Sequence, residues 1–490
     1  MACLESLPVE LKTIIFHKLA IADKHSVVRT CRSLCVAALP CLYYAIDANG
    51  GDIGLVCERK DVGRANIIAL CRTLIERPDL AKHVRILETH NCSIGMSVAI
   101  PSAELILFRE AVNQLSTTAS QRQECKQSLA PKHGTGTTLP VLVLILSRCG
   151  RLANLSISSL QYEFFRLREF MTADSSIFRR LSSLHVIRDH HDFGSMISAF
   201  QHFLPLPGLA ALQIICRRPA ASISHDTDLW RIASTTSATT SPRQLTGLSV
   251  SGYQRPIPNL SPILQQTRSL QMLKLNFLYL GDRGYPVSLS DLSVSLNHLR
   301  TTLVHLTVRA DVLDDGDVND PYRPETVQGD LTFLKHFTTL ETLETSLGLL
   351  VGQSVNIADN PPELTMFDLT ATLPSCLRTL KITDDECPPE WLRAWKPRNT
   401  LETLTQFLCS ENEVKNYLPR DYASCSLKGR GGGPWRTITP ELRELHLEMR
   451  RYSRQLPSDY SPDCTQEAVQ NLQRMCEDRD IACCITFSDK

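Results

Sequence analysis

The sequence of 490 residues predicts an α/β chain in which a short all-helical module precedes a long, irregular series of strand-plus-helix units. Three observations carry this. A Leu-x-x-Leu-x-aliphatic hexapeptide recurs along most of the chain, amphipathic segments stand ahead of several copies, and the amino terminus shows helical periodicity instead. The expected divisions are residues 1–47 for the helical module, 48–90 for a linking helix and first strand, and 91–490 for the repeats with surface-loop insertions.

In the module, Leu7, Leu11, Ile14, Ile15 and Leu19 fall at i, i+4, i+7, i+8 and i+12, one face of a helix. Pro8 suits the first helical position, where its missing N–H costs nothing, and Glu10 sits well in the first turn. Asp23 is placed to cap a second helix, on which Val27, Cys31, Leu34 and Ala38 share a face until Pro40 stops it. Leu42, Tyr43 and Ile46 suggest a short third helix. A unit of about 40 residues is near the size below which a fold needs disulfides, a metal or a partner. Each Leu or Ile side chain gains roughly 1.5–3 kcal/mol on full burial, so these faces call for a cover. Either a second protein supplies it, or the helices turn the face inward and cap the repeats.

The hexapeptide occurs at Leu152/Leu155/Ile157, Leu181/Leu184/Val186, Leu209/Leu212/Ile214, Leu245/Leu248/Val250, Leu270/Leu273/Leu275, Leu303/Leu306/Val308, Leu377/Leu380/Ile382 and Leu442/Leu445/Leu447. Degenerate copies stand at Leu340/Leu343 and Leu401/Leu404, and the spacing averages about 32 residues. The last two apolar positions of each copy are two residues apart, so they face one side of a strand and can stack on the next copy. Tyr162–Met171, Phe193–Phe203, Pro262–Gln266 and Leu289–Leu299 are amphipathic and supply candidate helices. Ser120–Thr138, Ser234–Ser241, Asp311–Thr326, Gly348–Pro362 and Cys409–Pro440 have loop composition, and the last is expected to leave Trp435 on the surface beside Gly429–Pro434. Leu139–Leu146 is less than half of the roughly 20 residues a membrane span needs and reads as a buried helix.

Here the residues carry a resemblance. Leu7-Pro8-x-Glu10-Leu11-x-x-x-Ile15-x-x-x-Leu19, then Asp23, Cys31-Arg32-Ser33-Leu34 and Pro40-x-Leu42-Tyr43-x-x-Ile46 resembles an F-box. The family has aliphatic residues where this chain has Lys24 and Arg29. The stretch Leu74 to Arg85 resembles the linker helix and first strand joining F-boxes to irregular leucine-rich repeats, which the hexapeptides resemble in turn, with intervals of 24 to 41 residues and no downstream asparagine. The resemblance implies a substrate receptor of a Skp-cullin-F-box ubiquitin ligase. It implies that Leu7, Pro8, Leu11, Ile14, Ile15, Leu19, Val27, Cys31, Leu34, Leu42 and Tyr43 meet a Skp-type adaptor and through it a cullin, while the repeats hold an unknown protein target. A repeat scaffold with an F-box-like cap that joins no ligase is the alternative, supported by Lys24 and Arg29.

Composition narrows the rest. Lys plus Arg number 52 against 52 Asp plus Glu, so no net field favours nucleic acid or an anionic membrane. The 18 cysteines form no C-x-x-C framework and no secretory signal precedes them, which points to reduced, mostly buried thiols in the cytoplasm or nucleus. No phosphate-binding loop, zinc-protease helix or dinucleotide fingerprint occurs, so no enzymatic activity, cofactor or metal is expected. Gly247–Gly252 misses the nucleophile-elbow spacing around Ser249 by one residue, which leaves a hydrolase with little support. Asp311–Tyr322 puts Leu313 and Tyr322 at calcium-ligand positions and fails as a calcium loop. His190-His191-Asp192 has no further ligand at metal spacing. A binding face remains. Outward strand positions are small and neutral early (Asn154, Ser156, Ala211, Gln213) and charged later, which makes Lys274, His305, Glu344, Lys381, Glu444 and His446 the candidate substrate contacts.

Overall fold

A computed structural model describes residues 4–48, 60–94, 97–98, 100–129, 136–159, 167, 178–188, 203, 206, 208–216, 245–253, 260–280, 287–313, 327–351, 369–383, 401, 404–405, 407–409, 435–450 and 462–488. The chain is mixed α/β and divides into two compact units, Met1–Ala220 and Ala221–Lys490.

The first unit opens on a 3-10 turn, Leu4–Ser6, followed by α1 (Val9–Lys18), α2 (Ile21–Val28), α3 (Arg32–Leu42) and the strand β1 (Ala45–Asp47). Then come α4 (Lys60–Glu76), α5 (Pro78–Ala81), β2 (Ile86–Ile94), β3 (Ser97–Val98), α6 (Ser102–Asn113), α7 (Ala119–Leu129), β4 (Gly136–Thr137), α8 (Thr138–Arg148), β5 (Asn154–Ser159), β6 (Ser183–Arg188) and β7 (Ala211–Cys216). Strands β1, β2, β5, β6 and β7 form a parallel sheet in chain order, with β3 and β4 as a separate antiparallel pair. Leu139–Leu146 is a buried helix as expected: every residue from Thr138 to Leu146 in α8 is buried, and the helix packs against α4, α6, α7 and β2.

The second unit contains β8 (Gly247–Tyr253), α9 (Ser261–Gln265), β9 (Met272–Leu280), β10 (Val287–Ser288), α10 (Leu289–Leu296), β11 (His305–Leu313), β12 (Val327–Gln328) and β13 (Thr342–Ser346). It continues with α11 (Leu347–Val351), β14 (Thr379–Thr383), α12 (Trp435–Ile438), β15 (Glu444–Arg450), α13 (Pro462–Glu477) and β16 (Ala482–Ser488). Strands β8, β9, β11, β13, β14, β15 and β16 lie parallel in chain order.

The registers explain why the hexapeptide repeats. Leu87, Leu155, Leu184 and Leu212 pair in one row of the first unit, and Leu248, Leu273, Leu306, Leu343, Leu380 and Leu445 in one row of the second. All are buried, as are the second-row partners Ile157, Val186 and Ile214, and Val250, Leu275, Val308, Ile382 and Leu447. Period-two alternation puts both rows on the core side and frees the residues between them for the opposite face. Opposite the rows, α10 buries Leu289, Leu292 and Leu296. Its start is fixed by Ser288, whose hydroxyl accepts from the Asp291 N–H at 3.2 Å.

Several expectations are corrected. Asp23 lies inside α2, which begins after Ala20 without a side-chain cap. The chain breaks at Arg29–Cys31 and resumes as α3, which runs through Pro40 to Leu42. Pro40 is in the last turn, where a proline forfeits one backbone bond without ending the helix. The third helix expected at Leu42 to Ile46 is instead the end of α3, a turn and β1, because the Tyr44 carbonyl and the Ala45–Asp47 backbone pair with the start of β2. Ser120–Thr138 is not a loop over its first half. The Thr118 hydroxyl accepts from the Gln121 N–H at 3.2 Å and the Gln121 side-chain oxygen accepts from the Thr118 N–H at 3.0 Å, a reciprocal capping box that starts α7. The copy at Leu401/Leu404 is not a strand: Leu401, Leu404, Thr405, Phe407 and Leu408 are helical, and β14 pairs directly with β15. Trp435 is buried at the start of α12. Residues 314–326 and 352–362 of the expected loops, Ser234–Ser241, Gly429–Pro434, His190–Asp192 and most of the candidate helices at Tyr162–Met171 and Phe193–Phe203 lie outside the described residues.

Candidate protein-binding surfaces

The amino-terminal helices bury the side of α1 opposite to its leucines and isoleucines. Phe16 is wholly buried in a cluster with Ala37, Ala38 and Cys41 of α3, flanked by Leu19, Val27, Val28 and Leu34. Small residues on α3 leave room for the ring, and the Cys41 thiol lies 3.6 Å from the Thr13 carbonyl. Lys12, one turn before Phe16, is also buried and donates to the Glu5 carbonyl at 2.6 Å, while the Cys31 thiol donates to Glu5 Oε1 at 2.8 Å. These two bonds pin the Leu4–Ser6 turn across the helices.

With Phe16 and Lys12 inside, Leu11, Ile14 and Ile15 point out, at 47 %, 60 % and 39 % exposure, with Val9 and Leu4 exposed beside them in sequence. Among the described residues nothing covers them, so the possibility that this face turns inward is not realised there. The candidate adaptor contacts therefore fall into two groups. Pro8, Leu11, Ile14 and Ile15 are exposed, with Leu7, Cys31, Leu42 and Tyr43 partly so. Leu19, Val27 and Leu34 pack against the Phe16 cluster and serve the core of the module. Sequence periodicity missed Phe16, which lies off the apolar stripe; the signal for it was the run of small residues on α3 that needs one large partner.

In the second unit the outward face of the sheet carries all six candidate substrate contacts. His305 and Glu444 lie in one row with Met272, Thr342 and Thr379, and Lys274, Glu344, Lys381 and His446 lie in the next row with Thr307. Glu344 and Lys381 are engaged by residues the sequence reading left out. Arg309 lies 3.3 Å from Glu344 and 3.0 Å from Glu448, and Lys381 lies 3.5 Å from Glu344 and 3.4 Å from Glu448. Each cation thus touches both carboxylates in a closed, self-neutralised ring over β11, β13, β14 and β15. Arg309 and Glu448 share a row with Ser346 and Thr383 between them, about 14 Å at three strand spacings. Both side chains must reach along that row, and the small residues under their meeting point, Ser346 and Thr383, are buried.

Outside the ring, Glu444 accepts from Thr379 at 3.1 Å and lies 3.4 Å from His446, while Lys274, His305 and Met272 stand toward β9 and β11. The hexapeptide ends one residue short of Arg309 and of Glu448; following the alternation one step further along each strand would have found both. Ser249 sits within β8, and its buried hydroxyl oxygen has no hydrogen-bond partner among the described residues.

Burial raises the Glu448 carboxyl, but the Arg309 and Lys381 charges and their hydrogen bonds outweigh it and hold the group below the usual glutamate range. A carboxyl held down by folding gives stability that is complete above its unfolded pKa and is lost as pH falls through the folded value. Glu448→Gln is therefore expected to lower the neutral-pH stability slightly, by about 1 kcal/mol or less as exposed pairs do. It should also flatten the decline of stability below about pH 5. Thermal melts of both proteins from pH 7 to 3 check this, and parallel acid limbs would refute it.

Among the described residues no group of three or more His, Cys, Asp or Glu side chains could hold a metal ion, and no helix is long and apolar enough to cross a membrane. No protein-family model and no curated protein matches the chain.

Proposed function

We propose that the chain is a non-catalytic substrate receptor of a Skp-cullin-F-box ubiquitin ligase, with an F-box over residues 1–47 and leucine-rich repeats behind it. The observation that carries the reading is the exposure of Leu11, Ile14 and Ile15 on a helix whose opposite side is filled by Phe16. A small module that leaves its aliphatic stripe outside its own core is suited to bury it against a second protein. The outward sheet face of the second unit is the place for the target, where Lys274 and Glu444 offer charge and His305 and His446 offer imidazole rings outside the ring of ion pairs. The chain would then supply proximity and orientation of a target lysine, and bond-making would belong to the ubiquitin-conjugating enzyme.

A repeat scaffold outside any ligase is the second reading. It is favoured by Arg29, which is exposed, and Lys24, which is half-exposed, charges where an F-box carries aliphatic residues. Co-expression of the full chain with a Skp-type adaptor separates the two. The first reading expects a stoichiometric complex that survives size exclusion at micromolar concentration, and the second expects two separate peaks. A proteome-wide capture with the intact chain and with one lacking residues 1–46 then sorts partners: those lost are adaptor and ligase, those kept are targets.

A further inference from the structure

The leucine row of the second unit ends in a thiol. Cys483 of β16 pairs in register with Leu445 of β15, at the position that Leu273, Leu306, Leu343 and Leu380 occupy on earlier strands. The helix α13, packed on β16, presents buried Leu472, Met475 and Cys476. Its carboxyl end is closed by the Ile481 N–H donating to the Cys476 carbonyl at 2.9 Å and by Asp480 at φ 58°. This six-to-one closure turns the chain straight from helix to strand and brings the residue two beyond Ile481 back beneath Cys476. The two thiols share a hydrogen bond. Cys484 points to the opposite side of the strand and is exposed.

We propose that Cys476 and Cys483 form an oxidisable pair that peroxide closes to a disulfide, fastening α13 to β16. Cys483 stands where a leucine fills the row on earlier strands, and it meets Cys476 of α13 in a contact that a sulfur–sulfur bond can replace. The hydrogen bond from Cys476 holds the Cys483 thiol below its usual range against the opposing effects of burial and Glu477, and raises the Cys476 thiol together with burial, so Cys483 is the group that ionises first. Its thiolate attacks one peroxide oxygen; the O–O bond breaks, and the departing hydroxide takes a proton to give water. The Cys476 sulfur then attacks the Cys483 sulfenic sulfur; the S–O bond breaks, and the hydroxide leaves as a second water with the Cys476 proton. Two electrons pass from the sulfurs to the peroxide, and a thiol reductant reverses the bond.

The full chain is treated with hydrogen peroxide, blocked with a thiol-capping reagent and digested with trypsin without reductant. Cleavage after Arg474 and Arg479 puts Cys476 in residues 475–479 and Cys483 with Cys484 in residues 480–490. The expected result is a cross-linked peptide pair joined at Cys483, in at least tenfold excess over joining at Cys484. It should disappear with dithiothreitol and with Cys483→Ser, and persist with Cys484→Ser. Chain unfolded in guanidinium before oxidation should join Cys476 to either cysteine within about twofold. Absence of the cross-link in folded protein at peroxide levels that oxidise Cys484, or equal joining at both cysteines, overturns the proposal. The adaptor reading stands or falls separately.

Discussion

Phe16→Ala is expected to unfold the amino-terminal helices. The ring is fully buried, and the residues around it, Ala37, Ala38 and Cys41, are too small to close the space it would leave. Removing a buried phenylalanine costs about 3–5 kcal/mol, and the spread depends on how far the surroundings can collapse. A module of this size has little stability to lose. Amide hydrogen exchange should therefore show α1, α2 and α3 exchanging at rates near those of an unfolded chain, while the leucine rows of the second unit keep their protection. Protection in α1 within a few-fold of the parent would mean that Phe16 is not the keystone of this cluster.

The companion variant should do the opposite. Leu11→Asp alters a side chain that is 47 % exposed, and it places a carboxylate at the third residue of α1, where the helix dipole favours it. Stability should change by about 0.5 kcal/mol or less, as surface substitutions do. Under the adaptor reading, the same carboxylate would be forced into a desolvated interface, at a cost of several kcal/mol, so affinity for a Skp-type adaptor should fall at least about 100-fold. Ile14→Asp should behave alike. Titration calorimetry on the folded variants measures this directly, and an affinity within threefold of the parent would mean that the Leu11 and Ile14 face is not where the adaptor binds. The pair of substitutions separates loss of binding through unfolding, expected of Phe16→Ala, from loss through the contact itself.

The leucine rows were legible in the sequence because alternation has a sign: two apolar residues with one between them must share a face, and Leu155 and Ile157 or Leu306 and Val308 do so. Helical periodicity has no such sign. It groups Leu11, Ile14 and Ile15 correctly, yet it says nothing about whether that stripe faces inward, and here Phe16 and Lys12 took the inner side. Leu-x-x-Leu is also ambiguous on its own, since residues three apart share a helix face. The copy at Leu401 and Leu404 satisfies the same spacing and is helical. α7 was hidden by polar composition, although Thr118 and Gln121 form a start signal readable at three-residue spacing. On the candidate target face, all six predicted positions were placed on the correct side of the sheet. What escaped was that Glu344 and Lys381 are held by Arg309 and Glu448, because a ring closed by residues from four strands has no expression in any one stretch of chain.

Within each unit, every strand of the main sheet lies beside the one that precedes it in that sheet along the chain. For a ribosome this means that the surface on which a newly emerged strand must settle has already been made. Leu306 can seat on Leu273 before Leu343 has been translated, and Leu343 on Leu306 in its turn. Synthesis and assembly would then proceed in the same direction, and a pause at any point would leave a shorter stack instead of a tangle of strands awaiting partners.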